Sequence, residues 1–506
     1  MRHADIRRAE QGAGKMPDPK ILIDALRCIR IATLIALSLP ASAASAELTA
    51  AGDEIQINTF TTDDQGTPAV ARLTDGGFVV VWQSFDQVGD NDFDVFAQRF
   101  DGDGVAVGTE LQVNSYTTDD QTAAQVVGAD DGGFVVVWQS RGQSGGTDYD
   151  VFVRRFNASA VGSGLDTRVN VTTADDQARP VVTKAASGIF VVAWQSFDQS
   201  GTFDYDIVVR SVSSAGTPTG AEIDVDDTAT DEQTAPSVAA AADGTFVVAW
   251  QDYDAQTGDD EVSTRAFSAA GAPLDAVARV NTSTDGFQTE PRVAASPDGS
   301  FVVAWQTYDG NGLDAGIAAR RIDADAQPIG AEISVNETTD GDQVTPAVAV
   351  DEASGRFVVA WAGDGQDEAG GYAVVARAFD STGTPMGGDA LVNQTTTDDQ
   401  ERPSISTLGS GRLAVAWQSF GQEGPLDAGV VGRLLDLGGG ACGDYTGNGT
   451  ITAADALGAL QAAVGLLSCQ LCICDVDQVN GVKATDALLV LNFAVGLPAP
   501  LNCAPC

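Results

Sequence analysis

Apolar residues arrive along this chain in bursts of fixed spacing. The clearest is Gly77-Phe78-Val79-Val80-Val81-Trp82-Gln83-Ser84, and versions of it return six more times. They place the seven tryptophans at Trp82, Trp138, Trp194, Trp250, Trp305, Trp361 and Trp417, 56 residues apart except for one gap of 55. Within the burst Phe78, Val80 and Trp82 alternate with Val79 and Val81. β-Branched residues over this length predict a strand. Both of its faces are apolar, so its sheet must be covered on both sides. Three more strand-length pieces share each period. Around Trp82 they are residues 54–58, 68–73 and 94–100, separated by Gly, Asp, Asn and Pro clusters.

A second marker keeps the same beat: Gln65, Gln121, Gln177, Gln233, Gln288, Gln343 and Gln400, most of them closing a Thr-x-Asp-Asp-Gln turn. Four strands in each of seven repeats resemble a seven-bladed β-propeller, a mainly β fold, built from repeats like those of large secreted bacterial surface proteins. The resemblance covers residues 53–437. The chain opens with a lone 54–58 strand and leaves the last repeat without one, so the N-terminal strand is expected to complete blade seven and remove an open edge. The Ala-rich strands that follow the turns are expected to lie innermost.

Two features of the repeats invite chemistry. The acidic turns would ring one face, but Asp and Thr side chains cap turns, so a structural role is the expected one. After Trp82, Asp90, Asp92 and Asp94 crowd together, as do Asp204 and Asp206 near Asp198. Calcium binding and a plain acidic hairpin are both open there. The position just before the inner strand's proline, or its equivalent, runs Thr67, Ala123, Arg179, Ala235, Glu290, Thr345 and Arg402. If the strand is innermost, these residues circle one channel mouth. Arg179, Glu290 and Arg402 then form either a pocket for a sugar carboxylate or ion pairs between each arginine and a turn acid such as Asp176 or Asp399.

Charge narrows the partners. Of 506 residues, 27 are Lys or Arg and 71 are Asp or Glu. So acidic a chain is no nucleic-acid binder. Residues 1–46 read as an export segment: Lys20, Arg27 and Arg30, an apolar run from Ile31 to Leu39, then small residues ending at Ala46. That run is too short to span a bilayer, so the mature chain is expected to be secreted or on the cell surface without a membrane span. Cleavage would remove seven basic and four acidic residues, leaving 20 against 67, a net charge of −47. It would also remove His3, the sole histidine, and with it any Ser-His, Cys-His or His-metal chemistry.

Beyond a Gly-rich linker at 438–441 the pattern changes. In Asp444-Tyr445-Thr446-Gly447-Asn448-Gly449-Thr450-Ile451-Thr452-Ala453-Ala454-Asp455, oxygen-bearing side chains stand at loop positions 1, 3, 5 and 12, with Gly at 6. This spacing wraps oxygens round a hard cation such as Ca2+, with Thr450 at position 7. Asp455-Ala456-Leu457 recurs as Asp486-Ala487-Leu488, 31 residues on. In the second loop Asp475, Asp477 and Asp486 keep positions 1, 3 and 12, but Val479 stands at 5, so a weaker site is expected. The duplicated loop and helix resemble a type I dockerin, implying a small α-helical calcium-binding domain over 442–506 and a cohesin-like partner in polysaccharide breakdown. Its six cysteines, Cys442, Cys469, Cys472, Cys474, Cys503 and Cys506, suit three disulfides in an exported chain, with zinc binding by the C-x-x-C pairs as the other reading.

Function is then expected to be non-enzymatic: a propeller platform for a ligand or polysaccharide, docked through its calcium module. The alternative is a carbohydrate-active enzyme using a carboxylate pair, which needs no histidine. Catalytic acids should break the repeat.

Overall fold

The computed structural model describes residues 48–438, apart from short stretches at 186–187, 198–203, 227–230, 285, 309–313, 368–369 and 423–426, together with residues 488–492. The chain folds as the repeat predicts. Blade one is an antiparallel sheet of Gln65–Arg72, Phe78–Phe85, Phe93–Phe100 and Ala106–Gln112, in that order from the axis outward. Its pattern repeats through blade seven, whose inner strand is Gln400–Gly409. Each inner strand packs against the inner strands of both neighbouring blades, and Gln400–Gly409 packs against Gln65–Arg72, so the ring is closed. The Ala-rich strands are innermost, as expected.

Burial explains the doubly apolar Trp strand. All seven tryptophans are fully buried. The two faces of each strand feed different cores: Val79 and Val81 pack with Trp138 between blades one and two, while Val80 and Trp82 pack with Leu408 and Val430 between blades one and seven. Sheets stacked in this way bury both faces of every blade.

Closure also follows expectation, with one difference. Blade seven ends at Ala428–Leu437, and the N-terminal segment pairs with that strand. It does so as two short pieces, Leu48–Ala50 and Ile55–Gln56, rather than as a single 54–58 strand, and so begins earlier than residue 53. The outer strands of blades one, two, three and five carry a register shift at the same place, so the interruption belongs to the repeat. Ile57 donates its N–H to Val430 O at 3.0 Å. Asn58 Oδ1 accepts the Val430 N–H at 2.8 Å, as Asn114, Asn170, Asn281, Asn336 and Asn393 do for other blades.

The loop ligands Asp444, Thr446, Asn448, Thr450, Asp455, Asp475, Asp477 and Asp486 lie outside the described residues, as do all seven cysteines and the 1–46 segment. Residues 488–492 form a short helix. No helix among the described residues is long and apolar enough to cross a membrane.

Candidate active site

The Thr-x-Asp-Asp-Gln turns are joints. Gln65 is fully buried and donates to Thr62 O and Asp63 O at 2.8 and 2.9 Å. Gln177, Gln288, Gln343 and Gln400 accept the indole N–H of Trp194, Trp305, Trp361 and Trp417. The second turn acid reaches back to the third strand of the preceding blade: Asp120, Asp176, Asp342 and Asp399 accept from Phe93, Tyr149, Ala315 and Tyr372 N–H. Outer-strand acids do likewise, Glu110 from Thr59 N–H at 2.7 Å and Asp166 from Ser115 N–H at 2.9 Å. Glu54 takes the same role for blade seven, from Thr395 N–H at 3.0 Å. Much of the chain's acidity is therefore spent holding blades together.

The post-Trp loop of blade one is similar. Asp92 Oδ2 accepts the Asp119 N–H at 3.0 Å, and Asp94 is buried against Asn114. Burial pushes the Asp94 carboxyl up to about 6, and repulsion from Asp90 and Asp92 adds to it. No cluster of three His, Cys, Asp or Glu suited to a metal ion is present among the described residues.

The seven mouth positions do form a ring, and they share one backbone state. Thr67, Ala123, Arg179, Ala235, Glu290, Thr345 and Arg402 have φ of 52°, 53°, 49°, 49°, 50°, 52° and 52°. Each sits in a bulge where the inner strand slips register against the Trp strand. Left-handed φ is strained for residues other than glycine. A glutamine from the preceding blade takes up the freed N–H: Gln139 Oε1 accepts from Arg179 at 2.8 Å, and Gln83, Gln195, Gln306 and Gln418 accept from Ala123, Ala235, Thr345 and Thr67 at 3.3 Å.

The charged members of the ring pair differently from expectation. Arg179 does not bond Asp176, nor Arg402 Asp399; those turn acids are occupied by backbone N–H groups. Arg179 Nη1 instead reaches Glu290 Oε1 at 2.9 Å, from blade three to blade five, and Arg292 Nη2 holds Glu290 Oε2 at 3.0 Å. Burial alone would raise the Glu290 carboxyl, but the guanidinium groups of Arg292 and Arg179 prevail and hold it at about 2. Arg402 is exposed and makes no ion pair among the described residues. At the channel's other end a cavity of about 580 Å³ is lined by Arg72, Lys184 and Glu352, with Arg72 and Glu352 paired at 3.2 Å.

The repeat is broken most plainly between blades three and four. Where blades one, two, three and seven carry a fully buried serine two residues after Trp, as at Ser84 and Ser419, blade four carries Asp252. Where the other outer strands end in asparagine, Asp226 stands. The Ile207 N–H bonds Gln233 Oε1 at 3.3 Å, and the Trp250 indole N–H, which like those of Trp82 and Trp138 bonds no glutamine, lies by Asp252. Ser263 Oγ donates to Asp252 Oδ2 at 2.7 Å. Burial pushes the Asp252 carboxyl up to about 6, and repulsion from Asp226 and Asp231 adds to it, against the Ser263 and Trp250 hydrogen bonds. Neither residue stands out in the sequence among so many acids. The departure from Trp-Gln-Ser to Trp-Gln-Asp was the visible signal.

No protein-family model and no curated protein matches the chain. Among solved structures, it is similar to a protein of unknown function from Dyadobacter fermentans, at 11% identity and TM-score 0.47, over 77% of this chain and 99% of that one. An α-L-arabinofuranosidase from Fusarium graminearum, bound to an iminosugar inhibitor, matches at 10% identity and TM-score 0.45, over 76% and 98%. An α-L-arabinanase from Penicillium chrysogenum, complexed with arabinobiose, matches at 13% and 0.44, over 77% and 99%. The expectation of a non-enzymatic platform is corrected here: two of these three matches bear the names of enzymes, an arabinofuranosidase and an arabinanase.

Proposed function

We propose that the chain is an exported glycoside hydrolase whose carboxylate pair lies at the junction of blades three and four. The observation that carries this reading is Asp252, a half-buried acid that breaks the repeat and keeps its proton to about pH 6. Hydrolysis of a glycosidic bond needs one carboxyl that gives a proton to the leaving oxygen and one carboxylate that stays ionised. Asp252 is the proton donor. Asp226, the acid that repels it most strongly, is the second carboxylate of the pair. No histidine or metal is required. The C-terminal segment then serves as a calcium-loaded docking module, holding ions through Asp444 and Asp455 and seating the enzyme on a cohesin-like protein near polysaccharide.

Release of reducing sugar from a panel of neutral and acidic polysaccharides, arabinan included, tests the reading. Activity should fall as pH rises through about 6, because the donor loses its proton there. Asp252→Asn should abolish hydrolysis while leaving the melting temperature unchanged or higher. Hydrolysis that persists in that variant, or no release from any member of the panel, would refute the assignment.

A further inference from the structure

We propose that the channel mouth carrying the seven bulges binds a carboxylate-bearing sugar, a uronate residue of a glycan, through Arg402 together with Arg179 and Arg292. This names the substrate class of the hydrolase proposed above and rests on that reading. Three observations support it. First, on a chain whose net charge is −44, the mouth carries the guanidinium groups of Arg179, Arg292 and Arg402, and Glu290 pairs with the first two. Second, it is narrow and built. Arg179 spans blade four to reach Glu290, so side chains from blades three and five already meet over the opening. Third, the arrangement is half satisfied. Glu290 occupies one edge each of Arg179 and Arg292, while Arg402 stands exposed without an ion pair among the described residues.

Glu290 is thus a resident carboxylate marking the geometry that an incoming one would share. Guanidinium groups take carboxylates edge-on with two parallel hydrogen bonds, which a neutral hydroxyl cannot match. The bulge keeps Arg179 at the mouth, its N–H held by Gln139 of the preceding blade, and Arg402 occupies the same left-handed bulge position in blade seven. Small residues flank Arg179, with Ala123 and Ala235 at the ring positions of the neighbouring blades.

Equilibrium binding to the full-length chain carrying Asp252→Asn, so that sugar is not consumed, provides the test. The probes are an oligogalacturonate, its methyl ester, and a neutral arabino-oligosaccharide. The acid should bind at least about tenfold more tightly than its ester, the size of one charge-assisted hydrogen bond at a partly exposed site. Arg402→Gln should shrink that ratio at unchanged melting temperature, and Arg179→Gln should shrink it with some loss of stability, since Glu290 then keeps one of its two guanidinium partners. Glu290→Gln should enlarge it, because two guanidinium groups are released to the ligand; a purely structural network would lose stability without gaining affinity. Equal binding of acid and ester, or a ratio untouched by Arg402→Gln, overturns the site even if hydrolysis is intact. Preference for the acid without turnover in the parent chain overturns the hydrolase instead.

Discussion

Ring closure can be tested at a single side chain. Ile57 is 2% exposed and packs with Trp82, Phe78, Leu408, Val430 and Leu434 at the seam of blades one and seven. Its equivalents inside the chain, Val113, Val169, Val225, Val280 and Val335, are fully buried. Ile57→Ala removes three buried carbons and leaves a void against two blades, which costs about 3 kcal/mol. Because Ile57 packs where blades one and seven meet, the loss should concentrate at the seam. Hydrogen exchange of the 412–420 and 428–437 strands should quicken by about a hundredfold, the equivalent of that energy, while blades three to five stay protected. Deleting residues 47–58 should exaggerate the pattern by exposing the edge of Ala428–Leu437. If Ile57→Ala loses under about 1 kcal/mol, or protection is retained near Trp417, the seam does not hold the ring and the reasoning fails.

Stability should depend on the buried acid of blade one. Asp94 titrates near 6 in the folded chain and lower when unfolded, so the unfolded state sheds its proton first. Stability therefore falls as pH rises from about 4 through 6 and levels off above. Asp94→Asn should flatten that slope, gaining up to about 3 kcal/mol at pH 8 and little at pH 4 in denaturant melts. Ala123→Gly should hold or slightly raise the melting temperature, since glycine relieves a left-handed φ, whereas Ala124→Gly should lower it. Replacing Asp444 and Asp455 by Ala should reduce the bound calcium measured by titration; an unchanged stoichiometry would count against the loop.

The architecture was legible because one residue type, Trp, occurs once per repeat and nowhere else. The closing strand was legible because a repeat cut off at one end must begin at the other. The mouth positions could be listed from the sequence, since a bulge keeps its place in every copy. What pairs across the mouth could not: Arg179 and Glu290 are 111 residues apart, and only the channel's width decides whether they meet. Asp226 and Asp252 were hidden for a different reason. Among 71 acids, one that replaces a serine looks like one that caps a turn until burial separates them.

The bulges have a consequence for how such a protein changes. At most mouth positions the backbone is anchored by a glutamine from the next blade over, and the side chain carries no share of the anchoring. The seven positions work like the tumblers of a lock set in a fixed barrel. Most can be recut alone, to a charge, a hydroxyl or a methyl, without retuning the core beneath; the buried Ala235 and the paired Arg179 and Glu290 are the exceptions. Selection, or a designer, can therefore rewrite what the mouth recognises one blade at a time while the fold stays constant.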